Sequence, residues 1–357
     1  MSPLAELRDR VIAADRDARP LCLRGGGSKD FYGQPPAGDV LDTRAWRGIV
    51  SYEPTELVVT ARCGTPLGEL QAALAERQQM LAFEPPAFGP GATIGGVVAA
   101  GLSGPRRAAS GPVRDFVLGA SLLNARGELL QFGGQVMKNV AGYDVSRLLC
   151  GSLGILGVIS EVSLKVLPVP PAEATMSLAI GEGPALQRLN EWSGQPWPIT
   201  ASAWYDGTLS VRFSGARAAV DAAVVRFGHD QGATAIDAQA GERFWAGLRE
   251  QTDAFFTDEL PLWRLSVPSS AASLAVAGRQ LIEWGGALRW FKTAEAAEGM
   301  RAAAARVGGT ATLFRGGDRA AGVFHPLPEA NLKIHRRLKH EFDPNGIFNP
   351  GRLYAGL

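Results

Sequence analysis

Glycine makes up 44 of the 357 residues, and the glycines crowd between residues 25 and 157 without a fixed period. Clustered glycines mark places where the backbone turns with positive φ, or approaches another group more closely than a side chain permits. The first cluster, Arg24-Gly25-Gly26-Gly27-Ser28-Lys29, runs directly out of the apolar stretch Leu21-Cys22-Leu23. Three glycines after a strand leave consecutive N–H groups able to turn toward an anion, where any side chain would hold a pyrophosphate away. The same triplet serves equally well as a tight structural turn. It is not a Rossmann fingerprint, because no G-x-G-x-x-G lies between strand and helix with an acidic residue about 20 positions on.

The second cluster shifts the balance. Gly91-Ala92-Thr93-Ile94-Gly95-Gly96, followed by Gly101, Ser103 and Gly104, is too small-sided to build an ordinary core. Two such segments in one chain imply two walls closing on an extended, phosphate-bearing ligand. Further along come Ser110-Gly111 with Asp115, then Lys138-Asn139-Val140-Ala141-Gly142-Tyr143-Asp144, then a glycine-punctuated run from Gly151 through Gly154 and Gly157 to Ile159.

The length exceeds one average domain. Lys+Arg 36 against Asp+Glu 35 leaves a net charge of +1, which gives no reason to expect a nucleic-acid partner. The N-terminus is charged throughout and lacks the apolar core of a secretory signal. The longest apolar stretches are interrupted by glycine and fall short of the roughly 20 residues a spanning helix needs, so no transmembrane segment is expected. Cys22, Cys63 and Cys150 stand far apart with no C-x-x-C pair, which argues against disulfides, zinc and iron–sulfur ligation. Such a chain reads as cytoplasmic and without a metal.

Periodicity predicts a helix over 3–17, short strands near 21–24, 40–42 and 48–50, and a β-branched strand over 56–61. A helix is expected to follow, with Thr65 as N-cap and Pro66 at its first position, ending near 77. Strands 116–124 and 128–132 flank the turn Ala125-Arg126-Gly127, a short helix spans 145–150, and a strand spans 157–167. Pro168, Pro170 and Pro171 mark the best boundary in the chain. Residues 172–325 alternate Ala-rich helices with strands and hold seven of the eight tryptophans, which read mostly as core. The last helix, 328–342, is expected to bury Ile334, Leu338 and Phe342. Lys333, His335, Arg336, Arg337, Lys339 and His340 would then form a solvated face.

Taken in order, the glycine clusters and the strand entry at Gly154–Ile159 resemble the FAD-binding domain of the vanillyl-alcohol-oxidase/p-cresol-methylhydroxylase superfamily, over roughly residues 20–168. The 138–144 run and the ending Phe342-Asp343-Pro344-Asn345-Gly346-Ile347-Phe348-Asn349-Pro350-Gly351-Arg352 most resemble bacterial glycolate oxidase subunits. The resemblance implies an α+β chain. Its FAD-binding domain of two subdomains would occupy 1–169, a cap with an antiparallel sheet and helices 170–325, and a C-terminal helix and turn, 326–357, would return to the FAD domain.

The cofactor contacts it implies are Arg24, Gly25, Gly26, Gly27, Ser28 and Lys29 as the pyrophosphate loop. Thr93, Ile94, Gly95, Gly96, Gly101, Ser103 and Gly104 would form the second segment, with Ser110, Gly111, Asp115, Gly142, Gly154 and Ile159 beyond it. Ser28 stands where covalent members often carry a linking His, so the expected FAD is non-covalent. The implied partners are a larger FAD-binding catalytic subunit and an iron–sulfur subunit. The implied reaction is glycolate to glyoxylate, in a complex that is cytoplasmic or peripheral at the inner membrane.

Self-sufficient relatives of this type carry a His near a Gly-Asp-Gly-Asn stretch in the cap, and this chain has no such stretch. No catalytic residue or metal ligand is therefore assigned. A stand-alone D-2-hydroxy acid dehydrogenase and a non-catalytic flavin-bearing scaffold remain the alternatives. Lys138 suits either a charge near the flavin or the surface. Tyr143 suits either stacking or packing, and His325 reads better as structural than as flavin-facing.

Overall fold

The computed structural model describes residues 2–134 and 144–357. The architecture is α+β, as expected, in two compact units. The first combines Met1–Leu102, Pro112–Pro168 and Pro326–Leu357; the second combines Ser103–Gly111 with Val169–His325.

The first unit opens with the helix Pro3–Arg16. Ser2 caps it by accepting the Ala5 N–H at 3.3 Å, and proline at its start gives up an N–H that would find no partner there. Its Leu7, Val11 and Ala14 pack on Leu21, Leu41, Val158 and Phe348. The strand Leu21–Arg24 pairs in parallel with Asp39–Asp42 on one side. On its other side the chain end runs beside it: Leu21 N–H donates to Ile347 O (2.7 Å), and Asn349 N–H donates to Leu21 O (2.9 Å).

Among the described residues a five-stranded antiparallel sheet follows, in the order Ile49–Glu53, Val58–Arg62, Val158–Lys165, Val117–Leu123, Leu129–Gly133. Alternation sorts its faces. Val59, Ala61, Val162 and Leu164 join the core beneath the helices Leu67–Ala75 and Ile94–Ala100, while Thr60 and Ser163 bond each other at 2.8 Å.

Two local expectations are corrected here. Thr65 does not cap the helix Leu67–Ala75, whose N-cap position is taken by Pro66; the Thr65 hydroxyl instead accepts the Gly48 N–H at 2.9 Å. In the last helix, Glu329–Phe342, Leu338 and Phe342 pack on the core as expected, together with Leu332, but Ile334 is 56% exposed and Lys339 is only 6% exposed. The ammonium of Lys339 donates to Asp343 Oδ2 (2.6 Å) and to the carbonyls of Ile155 and Phe348 (each 2.7 Å). A buried charge needs this full set of partners, and a periodicity count treats any Lys as a surface residue.

The second unit is built on an eight-stranded antiparallel sheet, counted among the described residues. Its order is Thr234–Ile236, Ala172–Ala179, Thr208–Gly215, Ile199–Tyr205, Arg279–Glu283, Leu288–Lys292, Leu262–Ser266, Thr310–Arg315. Trp192, Trp197, Phe213 and Phe227 form an aromatic core on one half, edge-to-face around Phe227 and with Trp197 stacked on Phe213. Trp263, Leu265, Phe291 and Met300 fill the other. Residues 103–111, expected inside the first domain, group with this second unit. Arg106 pairs with Glu173 at 2.9 Å and donates to Ser214 Oγ at 3.0 Å, while the Trp284 indole donates to Gly104 O at 3.0 Å. His325 accepts the Ala311 N–H at 3.3 Å, a structural use, and burial lowers its pKa with help from Arg301.

Candidate cofactor site

A groove in the first unit starts where the strand Leu21–Arg24 gives way to the glycine loop. Gly27 has φ +74°, a conformation that favours glycine. No acceptor is found among the described residues for the N–H groups of Gly26, Gly27 and Ser28. Arg24 crosses the loop to Asp30 at 2.7 Å, and Lys29 is held by Ala87 O at 3.2 Å. The facing wall is the helix Ile94–Ala100, which Thr93 caps by accepting the Gly96 N–H and Gly101 ends at φ 66°.

The groove has two sections. One holds Arg24 to Asp30 together with Arg352. The other is floored by Cys63, Gly157, Val158 and Ile159. Arg24, like Leu23, Gly25, Gly96, Ala99, Leu153 and Asn349, borders both, so the sections are continuous. Cys63 contributes a neutral thiol, since burial pushes its pKa up to about 12.

Of the residues expected at the site, Arg24, Gly25, Gly26, Gly27, Ser28, Lys29, Thr93 and Gly96 line the first section, and Gly95, Gly154 and Ile159 line the second. The structure does not bring Ile94, Gly101 or Asp115 to the groove. Ile94 is fully buried in the core, and Gly101 backs onto Gly151, where a Cβ would lie 2.8 Å from its Cα. Asp115 borders a separate cavity with Arg114 and Arg147. Ser103, Gly104, Ser110 and Gly111 belong to the second unit. Gly142, with Lys138 and Tyr143, lies outside the described residues.

The glycines also have a packing role. A Cβ on Gly25 would sit 2.3 Å from Thr93 Oγ1, and one on Gly26 would sit 1.4 Å from the Gly91 carbonyl oxygen. The two glycine segments pack directly against each other, Gly26 on the Gly91 main chain and Gly25 on the Thr93 side chain, which leaves no room for a Cβ at either.

The groove fits FAD in its chemistry. One section offers unpaired amides beside Arg24, Lys29 and Arg352 for a diphosphate, and the other offers apolar and glycine backbone for a flat ring. Sequence reasoning missed Leu23, Thr43, Cys63, Ala99, Leu153, Asn349 and Arg352 as wall residues. The Asn349-Pro350-Gly351-Arg352 turn was the one available signal for the last two.

Comparison with known proteins defines the class. Residues 3–133 match the FAD binding domain family, and residues 290–353 match the C-terminal domain of FAD linked oxidases. The chain is thus a flavoprotein of the FAD-linked oxidase class, with FAD as its cofactor. Alkyldihydroxyacetonephosphate synthase shares the fold, with a TM-score of 0.70 at 16% identity over 98% of this chain and 76% of that one. The glycolate oxidase subunit GlcE of Escherichia coli (strain K12) is 47% identical over 98% of this chain and 97% of its own length. The chain belongs to the family of that subunit. More partial likenesses run to the glycolate oxidase subunit GlcD of Bacillus subtilis (strain 168), 30% identical over 44% of this chain and 34% of that one. A D-lactate dehydrogenase of Anaerostipes hadrus is 36% identical over 37% of this chain and 27% of its own.

Proposed function

We propose that this chain is the FAD-binding subunit of a multi-subunit glycolate oxidase, working with a larger FAD-binding catalytic subunit and an iron–sulfur subunit to convert glycolate to glyoxylate. The observation that carries this reading is the end-to-end 47% identity with a relative named as one subunit of a glycolate oxidase. When bound, FAD supplies a carrier for the electrons that the complex takes from its substrate. The chain's own residues hold it: loop amides and cations at the diphosphate end, small residues and backbone at the ring end.

No helix among the described residues is long and apolar enough to cross a membrane. The proposed subunit works in the cytoplasm and meets the inner membrane only through its complex.

Attachment of the flavin is non-covalent in this reading, because Ser28 brings a hydroxyl rather than an imidazole to the groove. The purified chain is expected to be yellow and to release its FAD on acid precipitation. Colour that stays with the denatured pellet would refute the non-covalent attachment.

Co-expression with a larger flavoprotein and an iron–sulfur protein is expected to give one co-eluting assembly that oxidises glycolate, while the isolated chain turns over little or none. The motive is the missing Gly-Asp-Gly-Asn stretch and the lack of any cysteine group able to carry electrons onward. A chain that alone oxidises glycolate or D-lactate at about 1–10³ per second, the usual range for enzymes, would favour the stand-alone dehydrogenase instead.

A further inference from the structure

The groove walls come from segments more than 300 residues apart in sequence, and one side chain ties them together. Asn349 Oδ1 accepts the Leu23 N–H at 2.7 Å, just before the glycine loop, and Asn349 Nδ2 donates to Leu153 O at 2.6 Å on the opposite wall. Its backbone is left-handed, with φ 42°, a conformation that asparagine tolerates better than most residues. A Cβ on Gly154 would lie 2.8 Å from Asn349 Nδ2, so that glycine is what lets the amide reach its partners. Three residues on, Arg352 donates to the carbonyls of Asp30 (3.0 Å), Lys29 (3.4 Å) and Gln34, which fixes the segment after the glycines from behind. Both residues border the groove.

We infer that Asn349 and Arg352 are positioning residues for the flavin, forming a C-terminal clamp that sets the spacing between the glycine loop and the wall at Leu153. The inference rests on the groove being the FAD site. Asn349 holds both walls through one planar amide, so the separation between them is fixed by its length. Without it, Leu23 N–H and Leu153 O lose their common partner. Arg352 keeps the carbonyls of residues 29, 30 and 34 turned toward itself, and its charge stays beside the loop that holds the unpaired amides.

The test uses the full chain stripped of flavin, with FAD as the probe. FAD dissociation constants are measured by flavin fluorescence, and the visible circular dichroism of bound flavin is recorded at saturating FAD. Asn349→Ala is expected to raise the dissociation constant at least about tenfold, the scale of a lost buried hydrogen-bonding group, and to change the flavin dichroism. A purely structural residue would lower the unfolding temperature of the flavin-free chain and leave both flavin readouts alone.

If Asn349→Ala does not fold, Arg352→Lys, which keeps the charge and loses the fork, is expected to show the same two changes. Gly96→Leu separates this inference from the groove reading, because Gly96 borders both sections and a Cβ there meets nothing closer than Thr93 Oγ1 at 3.3 Å. Should Gly96→Leu keep FAD at full affinity, the groove is not the flavin site. Should it lose FAD while Asn349→Ala and Arg352→Lys bind as the unaltered chain does, the clamp alone is overturned.

Discussion

Gly26→Ala is expected to yield a folded but colourless chain. The added Cβ would lie 1.4 Å from the Gly91 carbonyl oxygen, and the obstructing atom is main chain, so no rotamer change relieves the overlap. The glycine loop must move off the 91–96 segment, and with it go the N–H groups of residues 26–28 that the proposed diphosphate would use. Overpacking of this kind costs about 1–3 kcal/mol, which as lost flavin binding is a factor of about 5 to 150. Gly68→Ala is the matched control. It lies on an exposed helical turn with nothing within 4 Å of the new methyl, and is expected to keep full colour and gain up to about 1 kcal/mol of stability from its better helix propensity. Visible absorbance per chain after gel filtration decides the matter. Full flavin in Gly26→Ala would show that the close approach of the two loops is not needed for binding.

The largest stability effect is expected at Asp343. Its carboxylate accepts from Lys339 Nζ (2.6 Å) and from the N–H groups of Ile347 (2.9 Å) and Phe348 (2.8 Å), with its side chain fully buried. Asp343→Ala leaves a buried ammonium without its counter-charge and two buried amides without an acceptor. Removing one partner of such a pair costs about 3–5 kcal/mol. At roughly 2–4 °C per kcal/mol for a unit of this size, thermal unfolding should begin about 6–20 °C earlier. Lys339→Met combined with Asp343→Ala should recover part of that loss, since the stranded charge is gone. Unaltered unfolding of the single variant would show that the pair contributes nothing to the fold.

What the sequence revealed of the site follows from how local each signal is. The glycine loop and the Thr93–Gly96 turn stand out because missing side chains are visible residue by residue, and both do line the groove. Their cause was harder to read. Gly25 and Gly26 looked like room for a ligand, whereas their nearest neighbours are Thr93 and Gly91. Ile94 and Gly101 sat inside a glycine-rich run, yet one points into the core and the other ends a helix. Asn349 and Arg352 stand out only as part of the Phe342–Arg352 ending, and their place at the groove depends on partners, Leu23, Leu153 and residues 29 to 34, that adjoin them only once the chain end lies beside the first strand. Lys339 shows the same limit for the fold. Periodicity sorts residues by type, and only the carbonyls of Ile155 and Phe348, gathered by tertiary structure, make a buried ammonium tolerable at that position.

The excursion of residues 103–111 into the second unit alters what counts as a module in this protein. Four chain crossings, after residues 102, 111, 168 and 325, link the two units. A gene fragment covering 169–325 would lack Arg106, the partner of Glu173 and Ser214, and the Gly104 carbonyl that receives the Trp284 indole. Shuffling the second unit between relatives thus calls for two coordinated splices, the shorter only nine residues long and lying between the stretches that encode the first unit. The nine-residue piece and the long piece therefore form one unit of exchange, although the chain encodes them 57 residues apart.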